Sequence, residues 1–351
     1  MCKKILAALF CGTLGLSFLI FNIFSKQLSG DNHENRLLTG LPQVLQSAPG
    51  ELFENLNSFI ADNSPFRYQL VELNANANYL LFGQVQNDQV LAGRDGWLFY
   101  KDGPDAARPL ANCQGLPDTF DRGEELAAAA AQLQRLADAL AEQGCTLVLD
   151  LTPSKDRVYQ EYLPDGYPIV NEQNRTDRLA AYLQANTGVP VSWQYPAIRA
   201  AALADPAQPL YFKTDTHWNR AGALMGLDGA LTAAGLDCVP YAEYDIAENG
   251  TQTGDLANVA ALYTILPADT DYAAANYAAL YEQDPRTVGV LGDSFSEYYM
   301  GYLSRRFAAS WRDTYENALT PALTEVPGCD ILILQVAERK LDTLLALLAQ
   351  F

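Results

Sequence analysis

The run CTLVLDL, 145–151, is apolar along nearly its whole length, not at alternate positions. A strand of that kind needs apolar cover on both faces, and a parallel sheet with helices on either side supplies it. The run follows a segment rich in Ala, Leu, Glu and Gln over 122–143, which predicts a long helix stopped by Gly144 as a C-cap. The alternation then recurs: a helix over 175–186, a strand at 189–194, a helix over 219–234, a strand at 287–292, a helix over 296–308 and a strand at 330–336. The predicted fold class is therefore α/β, a parallel sheet flanked by helices.

With 351 residues, of which 49% are hydrophobic, the chain can bury a substantial core, and one main domain with attachments is expected. Residues 5–24 form an uncharged apolar run of the length a membrane-spanning helix requires. Lys3 and Lys4 precede it and only Lys26 follows closely, so the positive-inside rule places residues 1–4 in the cytoplasm and everything after residue 26 outside. A retained anchor is the expectation, with a cleaved signal sequence as the alternative. Residues 25–50 are polar and interrupted by Gly and Pro, which suits a stalk. Residues 51–351 are then the catalytic region, and 51–121 its helical and hairpin attachment: Leu52, Phe53, Leu56, Phe59 and Ile60 recur at helical spacing, and VLAGRDGWLFY, 90–100, places strands on both sides of an Arg-Asp-Gly turn. Four of the six cysteines, Cys113, Cys145, Cys238 and Cys329, lie beyond the apolar run, and their spacing leaves disulfides and buried thiols equally open while matching no metal site. A formal net charge of −19 and the absence of a basic patch argue against a nucleic-acid partner and suit uncharged ligands such as neutral sugars.

Two segments carry the residue types that nucleophilic chemistry needs. TVGVLGDSFSEYYM places Ser294 just past the C-terminal end of a buried strand and at the start of a helix, on the sheet edge where α/β folds bind ligands. Helix N-terminal amides there suit an oxyanion, although Asp293 or Ser294 at that position is equally an N-cap. YFKTDTHWNRAGA places Asp215 and His217 one residue apart, so an extended loop points both the same way. A serine hydroxyl needs a base, and the base needs an acceptor on its other ring nitrogen. The chain has two histidines, and His33 falls in the stalk, so an imidazole base in the folded region must be His217. Asn219 reads as the cap of the next helix.

TDTHWN and GDSFS together resemble the hallmark stretches of the SGNH-hydrolase-like proteins of the DHHW and alginate O-acetylation (AlgX/AlgJ) type. HENRLL at 33–38, FENLNSFIADNSPFR, GRDGWLFY at 93–100, LTPSKDRVY at 151–159, TGDLA at 253–257 and VAERKL at 336–341 extend the likeness through most of the chain beyond the apolar run. The resemblance implies a flavodoxin-like three-layer sheet with permuted motif order, since the Asp/His pair precedes the serine. It also implies Ser294 as nucleophile, His217 as base and acid, and Asp215 as orienter, in acetyl transfer to an extracellular polysaccharide, with a membrane-bound O-acyltransferase as the separate donor of acyl groups. Thr216 stands where the DHHW branch has a second histidine, so that histidine is not essential here. The Ser294 amide and the Gly254 amide are candidate oxyanion donors, a plain turn glycine being the other reading of Gly254. Lys155, beyond the strand that ends near Thr152, and Tyr298 are candidate substrate contacts; Trp97, Tyr100 and Tyr299 are further candidates for stacking on sugar rings or are simply core, and Glu338 and Arg339 are expected to pair. Neither cofactor nor metal is expected. A carbohydrate acetylesterase of the same fold shares the covalent intermediate and differs only in the acceptor, and a non-catalytic polysaccharide-binding subunit is the reading outside enzymology.

Overall fold

The computed structural model describes residues 2–28, 37–63, 66–101, 109–116, 123–315 and 328–349. The chain divides into two compact units, one of Met1–Asn87 with Ala257–Ile265, the other of Asp88–Leu256 with Leu266–Phe351.

The first unit is helical, with helices Cys2–Leu28, Leu41–Leu45, Leu52–Asp62 and Arg67–Phe82. The run 5–24 expected to span a membrane lies within the first of these. The side chains at 18, 19 and 21–28 fall outside the described residues, as do those of Lys3 and the whole of His33. Among the described residues no helix is long and apolar enough to cross a membrane. Phe53 and Ile60, read as part of an apolar helical face, are exposed. Buried Asp62 instead ties this region together, accepting a hydrogen bond from the Thr39 amide at 2.8 Å, and Glu72 accepts from Thr264 at 2.6 Å.

The second unit is built on a five-stranded, wholly parallel sheet. In chain order the strands of this unit are β1 (Val90–Ala92), β2 (Leu98–Tyr100), β3 (Thr146–Thr152), β4 (Val191–Trp193), β5 (Ile246–Gln252), β6 (Asp269–Ala274), β7 (Asp284–Gly292), β8 (Phe307–Asp313) and β9 (Ile331–Ala337). The sheet runs β4-β3-β9-β7-β8, while β1/β2 and β5/β6 are separate antiparallel hairpins. Its two faces are dry for the reason the sequence suggests. Leu147, Leu149 and Leu151 of β3 with Leu332, Leu334 and Val336 of β9 enter one core, which the helices Gly123–Ala141, Arg175–Asn186 and Leu341–Leu348 close. Val148, Val288, Val290, Ile331 and Ile333 enter the other, under the helices Tyr195–Ala204 and Arg220–Ala233. The strands β3, β7 and β9 alternate between the two cores, as the pleat dictates.

Two elements depart from the expectation. The helix expected over 296–308 is a 3-10 turn, Ser294–Tyr299, followed by a helix that ends at Arg306, and β8 begins at Phe307 as the sheet edge. The β5/β6 hairpin was not expected at all: β5, IAENGTQ, is largely exposed, so hydrophobic alternation is missing from it. The Arg-Asp-Gly turn does form, with Asp95 and Gly96 at φ 53° and 80°, and β1 pairs with β2 as read. The four cysteines beyond the apolar run are free thiols, with the Sγ atoms of Cys145 and Cys329 3.4 Å apart at the starts of β3 and β9.

Candidate active site

Parallel register brings the C-terminal ends of three strands to one edge, with Gly292 and Asp150 both beside Gln335. At the end of β7 the chain turns sharply. Asp293 caps the turn: its Oδ1 accepts from the Phe295 amide at 3.1 Å, and its Oδ2 accepts from the Ala337 amide at 2.7 Å. The Asp293 amide donates to Gln335 Oε1 at 3.1 Å. Gly292 is required here, since a Cβ would meet Ser296 Oγ and Gln335 Oε1 at 2.6 and 2.7 Å. Arg312 of β8 clamps the turn from outside, donating to Ser296 Oγ at 2.7 Å and to the Asp293 carbonyl at 2.8 Å. Ser294 is thereby left as the first residue of the 3-10 turn, half-buried, and its N–H has no acceptor among the described residues.

The Asp215–His217 segment is held by a separate set of contacts. Tyr211 and Trp218 form a β-bridge, Trp218 is fully buried and donates to the Phe295 carbonyl at 3.0 Å, and Asn219 caps the following helix by accepting from Gly222. Thr214 donates its amide and its hydroxyl to Asp269 Oδ2, each at 2.7 Å. Leu98 of β2 donates its amide to the Lys213 carbonyl at 2.9 Å, which gives the GRDGWLFY hairpin its place in the unit.

These two supports bring Ser294, His217 and Asp215 into one hydrogen-bonded chain. Ser294 Oγ lies 2.6 Å from His217 Nε2, and His217 Nδ1 lies 2.7 Å from Asp215 Oδ1. Asp215 also accepts from the His217 amide at 2.9 Å and, through Oδ2, from the Asp255 amide at 2.9 Å. Burial opposes the charge on Asp215, but these hydrogen bonds and the neighbouring imidazole outweigh it and hold the carboxyl below the usual carboxylate range. An acceptor that stays ionised keeps the Nδ1–H tautomer in place and leaves Nε2 free to take a proton from Ser294. The arrangement can therefore generate a serine nucleophile and stabilise the imidazolium that results.

Lys155, offered by the sequence as a substrate contact, is buried beneath the site. It is 4% exposed, and its ammonium donates to the carbonyls of Phe212, Lys213 and Asp215 at 3.2, 3.0 and 2.5 Å. A short helical turn after β3 points it inward, beneath the loop that carries Asp215, where burial pulls it down to about 8 against the attraction of Asp215, Asp269, Asp255 and Asp156. Gly254, the second candidate oxyanion donor, stands at a close approach of two backbones. A Cβ there would lie 2.0 Å from the Thr214 carbonyl oxygen and 2.5 Å from the Asp215 nitrogen, so glycine permits two backbones to touch and delivers the Asp255 amide to Asp215. Tyr298 does border the site, half-buried, its ring centroid 6.4 Å from that of His217 and its face under Arg220. Trp97 and Tyr299 are core: Trp97 stacks on Tyr159, and Tyr299 donates to buried Asp150 at 2.6 Å. Glu338 pairs with Arg157 at 3.2 Å, not with Arg339, which lies over the Tyr100 and Phe295 rings.

Asp255 and Asp269 were not singled out in the sequence, and Thr216 was noted there without its contacts to His217 and Asp255. Asp255 stands inside the TGDLA stretch, where an acid next to the glycine was the available signal; Asp269 opens a strand with no such signal. Asp215, His217 and Asp255 have ligand atoms within 4.8 Å of one another, a spacing that fits a metal ion. All four of the carboxylate oxygens nevertheless accept protein hydrogen bonds already, from His217, Asp255 and Thr216. The cluster is organised as a hydrogen-bond network. The Asp255 carboxyl is pushed upward, first by burial and then by the Asp215 charge, but 42% of its side chain meets solvent, which screens the effect.

Known proteins place this site in a family. Residues 90–318 match the family described as the SGNH hydrolase-like domain of acetyltransferase AlgX. A probable alginate O-acetylase AlgJ of Pseudomonas syringae is 29% identical over 261 residues, which cover 67% of this chain and 61% of that protein. Its counterpart from Pseudomonas putida is 31% identical over 150 residues, covering 42% of this chain and 34% of that one. Among solved structures, the O-acetyltransferase domain of Pseudomonas putida AlgJ aligns with 75% of this chain and 99% of its own at 18% identity and a TM-score of 0.49. This chain thus spans about 61% of the length of the first of these relatives. With the match to the family covering Ser294, His217 and Asp215 and more than half of the chain, the chain belongs to the SGNH hydrolase-like family of AlgX-type acetyltransferases.

Proposed function

We propose that this protein is a serine-dependent O-acetyltransferase that works outside the cytoplasm and transfers acetyl groups, through an acyl-Ser294 intermediate, to hydroxyls of an exported or cell-surface polysaccharide. The observation that carries this reading is the chain from Asp215 Oδ1 through His217 to Ser294 Oγ, with steps of 2.7 and 2.6 Å, at the ligand-binding edge of the sheet. In the first step Ser294 Oγ bonds to the acetyl carbonyl carbon while its proton passes to His217 Nε2 and the carbonyl pair moves onto oxygen. In this reading the Ser294 N–H donates to that oxyanion. Collapse breaks the bond to the donor's leaving group, which takes the proton from His217. In the second step a sugar hydroxyl yields its proton to Nε2 and attacks the acyl carbon, and Ser294 leaves as a hydroxyl after recovering that proton.

The AlgJ relatives are named for alginate, a polymer of carboxylated sugars. A formal charge of −19 and an isoelectric point near 4.4 oppose a polyanion, so we assign this chain a neutral polysaccharide. The uncharged run 5–24 serves in this reading as the membrane anchor, with the rest of the chain outside. Acetyl-CoA is too polar to cross a bilayer unaided. A membrane-bound O-acyltransferase partner would relay the acyl group, and anchoring keeps Ser294 close to it.

The test is hydrolysis of a chromogenic acetyl ester by the purified protein, with intact-mass detection of an acetylated enzyme. Ser294→Ala is expected to remain folded and to lose both signals. Full activity in that variant rejects the assignment. Adding a neutral oligosaccharide separates the acceptors: acetylated sugar is expected, and release of acetate alone would make the protein an esterase.

A further inference from the structure

His217 has a second acidic neighbour besides Asp215, and the two are connected differently. Asp255 Oδ1 accepts from the Thr216 amide at 2.7 Å, and its Oδ2 accepts from the Thr216 hydroxyl at 2.7 Å. Thr216 Oγ1 in turn lies 3.2 Å from His217 Nδ1, the nitrogen that meets Asp215 at 2.7 Å. Asp255 Oδ2 is itself 3.8 Å from that nitrogen, outside hydrogen-bond reach. A hydroxyl that donates its only proton to a carboxylate turns its lone pairs elsewhere, and here they face the imidazole N–H.

We infer that Thr216 and Asp255 form a second acceptor arm on His217: a carboxylate acting through a bridging hydroxyl, which shares with Asp215 the orientation of the imidazole and the positive charge it acquires. The inference rests on the acyl-Ser294 reading above and deepens it, with Thr216 and Asp255 as positioning residues that touch no substrate. The geometry is a three-centre hydrogen bond at Nδ1, with Asp215 Oδ1 the shorter and Thr216 Oγ1 the longer limb. The two limbs are tied to each other, because the Asp255 amide donates to Asp215 Oδ2. Two carboxylates so close repel, and the buried ammonium of Lys155, which feels both charges, offsets the repulsion. A second limb matters most in the transition state, when the ring is cationic and a charged acceptor network is worth more than in the resting enzyme.

Thr216→Val removes the hydroxyl while keeping the shape and the amide bond to Asp255, so it separates the arm from the loop anchor. The prediction is a fall of about ten-fold in kcat on the chromogenic ester with KM nearly unchanged, the size expected for one lost charge-assisted hydrogen bond. Thr216→Ser restores the rate, because only the hydroxyl is required. In an Asp215→Asn background the same Thr216→Val change should cost more than in the wild type, since the remaining limb then carries the orientation alone. The rate of Ser294 labelling by a sulfonyl fluoride, followed by intact mass, reads nucleophile activation without turnover and should fall in parallel with kcat. Thr216→Val with wild-type kcat and labelling rate, alongside inactive Ser294→Ala, would overturn the arm and leave the acetyltransferase reading standing. Loss in both Thr216→Val and Thr216→Ser together with a lowered Tm would assign Thr216 to loop packing and overturn the arm as well. A wild-type protein that neither turns over the ester nor reacts with the sulfonyl fluoride would remove the underlying reading and the arm with it.

Discussion

Asp215 and Lys155 show how one loop is made to hold a charge in the right place. Asp215 is 6% exposed and accepts hydrogen bonds from two backbone amides besides the imidazole, so its ionised form is stabilised by fixed donors. Asp215→Asn keeps the shape but presents an amide that supports the wrong tautomer, and kcat is expected to fall by roughly three to four powers of ten; steady-state kinetics on a soluble acetyl ester will show this, and a loss under ten-fold would remove Asp215 from the triad. Lys155 carries the complementary charge beneath the loop. Lys155→Met leaves three buried carbonyls with one donor fewer each, a loss of about 3 kcal/mol in stability by the usual cost of unmet hydrogen bonds. Denaturant unfolding measures it. Because the ammonium is spent on three backbone carbonyls, the kinetic defect should appear in kcat and spare KM, the opposite of what a substrate contact would give.

At the scale of elements, the site is a meeting of two turns, each made possible by a glycine that lets backbones approach. Gly254 lies flush with the Thr214–Asp215 peptide, and adding a Cβ 2.0 Å from a carbonyl oxygen forces the loops apart. Gly254→Ala should therefore lower Tm by several degrees and cut kcat together, by withdrawing the Asp255 amide from Asp215; a calorimetric scan beside an activity assay checks it, and an unchanged variant would show that the loops move freely. Much of this level is legible in the sequence. The strands β3, β4, β7 and β9 and the helix Arg175–Asn186 stand where apolar runs and capping signals put them. The hairpin β5/β6 and the edge strand β8 do not announce themselves, because exposed β5 lacks apolar alternation and FAASWRD follows a helix with no intervening turn signal. Arg312 and Asp269, which hold the two site turns, come from such strands and were missed with them.

For the whole molecule, the sheet unit carries two fully buried acids whose titration should be visible in its stability. Burial pushes the Asp150 carboxyl up to about 7 although Tyr299 donates to it, and burial with the Glu338 charge pushes Asp156 up to about 7. For an acid whose folded value is raised, the stabilisation is complete below the unfolded value of 3.8 and is lost as pH rises through about 7. Tm should accordingly fall as pH is raised across that window, and Asp150→Asn should flatten the dependence; an unaltered slope in the variant would place the titration elsewhere. The orientation of the chain is tested on intact cells whose wall admits a protease. Residues beyond 26 should be digested there, and a protected sheet unit would reverse the topology proposed from Lys3, Lys4 and the uncharged run 5–24.

By itself the sequence determined what local chemistry can determine: which segments need cover on both faces, and which residue types a serine nucleophile requires. With one imidazole available to the folded region, the base had to be His217. Tertiary structure decided everything that depends on distance between segments far apart in the chain. It turned Lys155 inward because three carbonyls of a loop about 60 residues away point at its ammonium. It made Gly254 a contact between backbones, and it gave Glu338 to Arg157 although Arg339 is adjacent in sequence. A charged side chain in a sequence has many partners within reach of its type; the packing of the sheet edge leaves it only those that lie within about 3 Å in the folded chain.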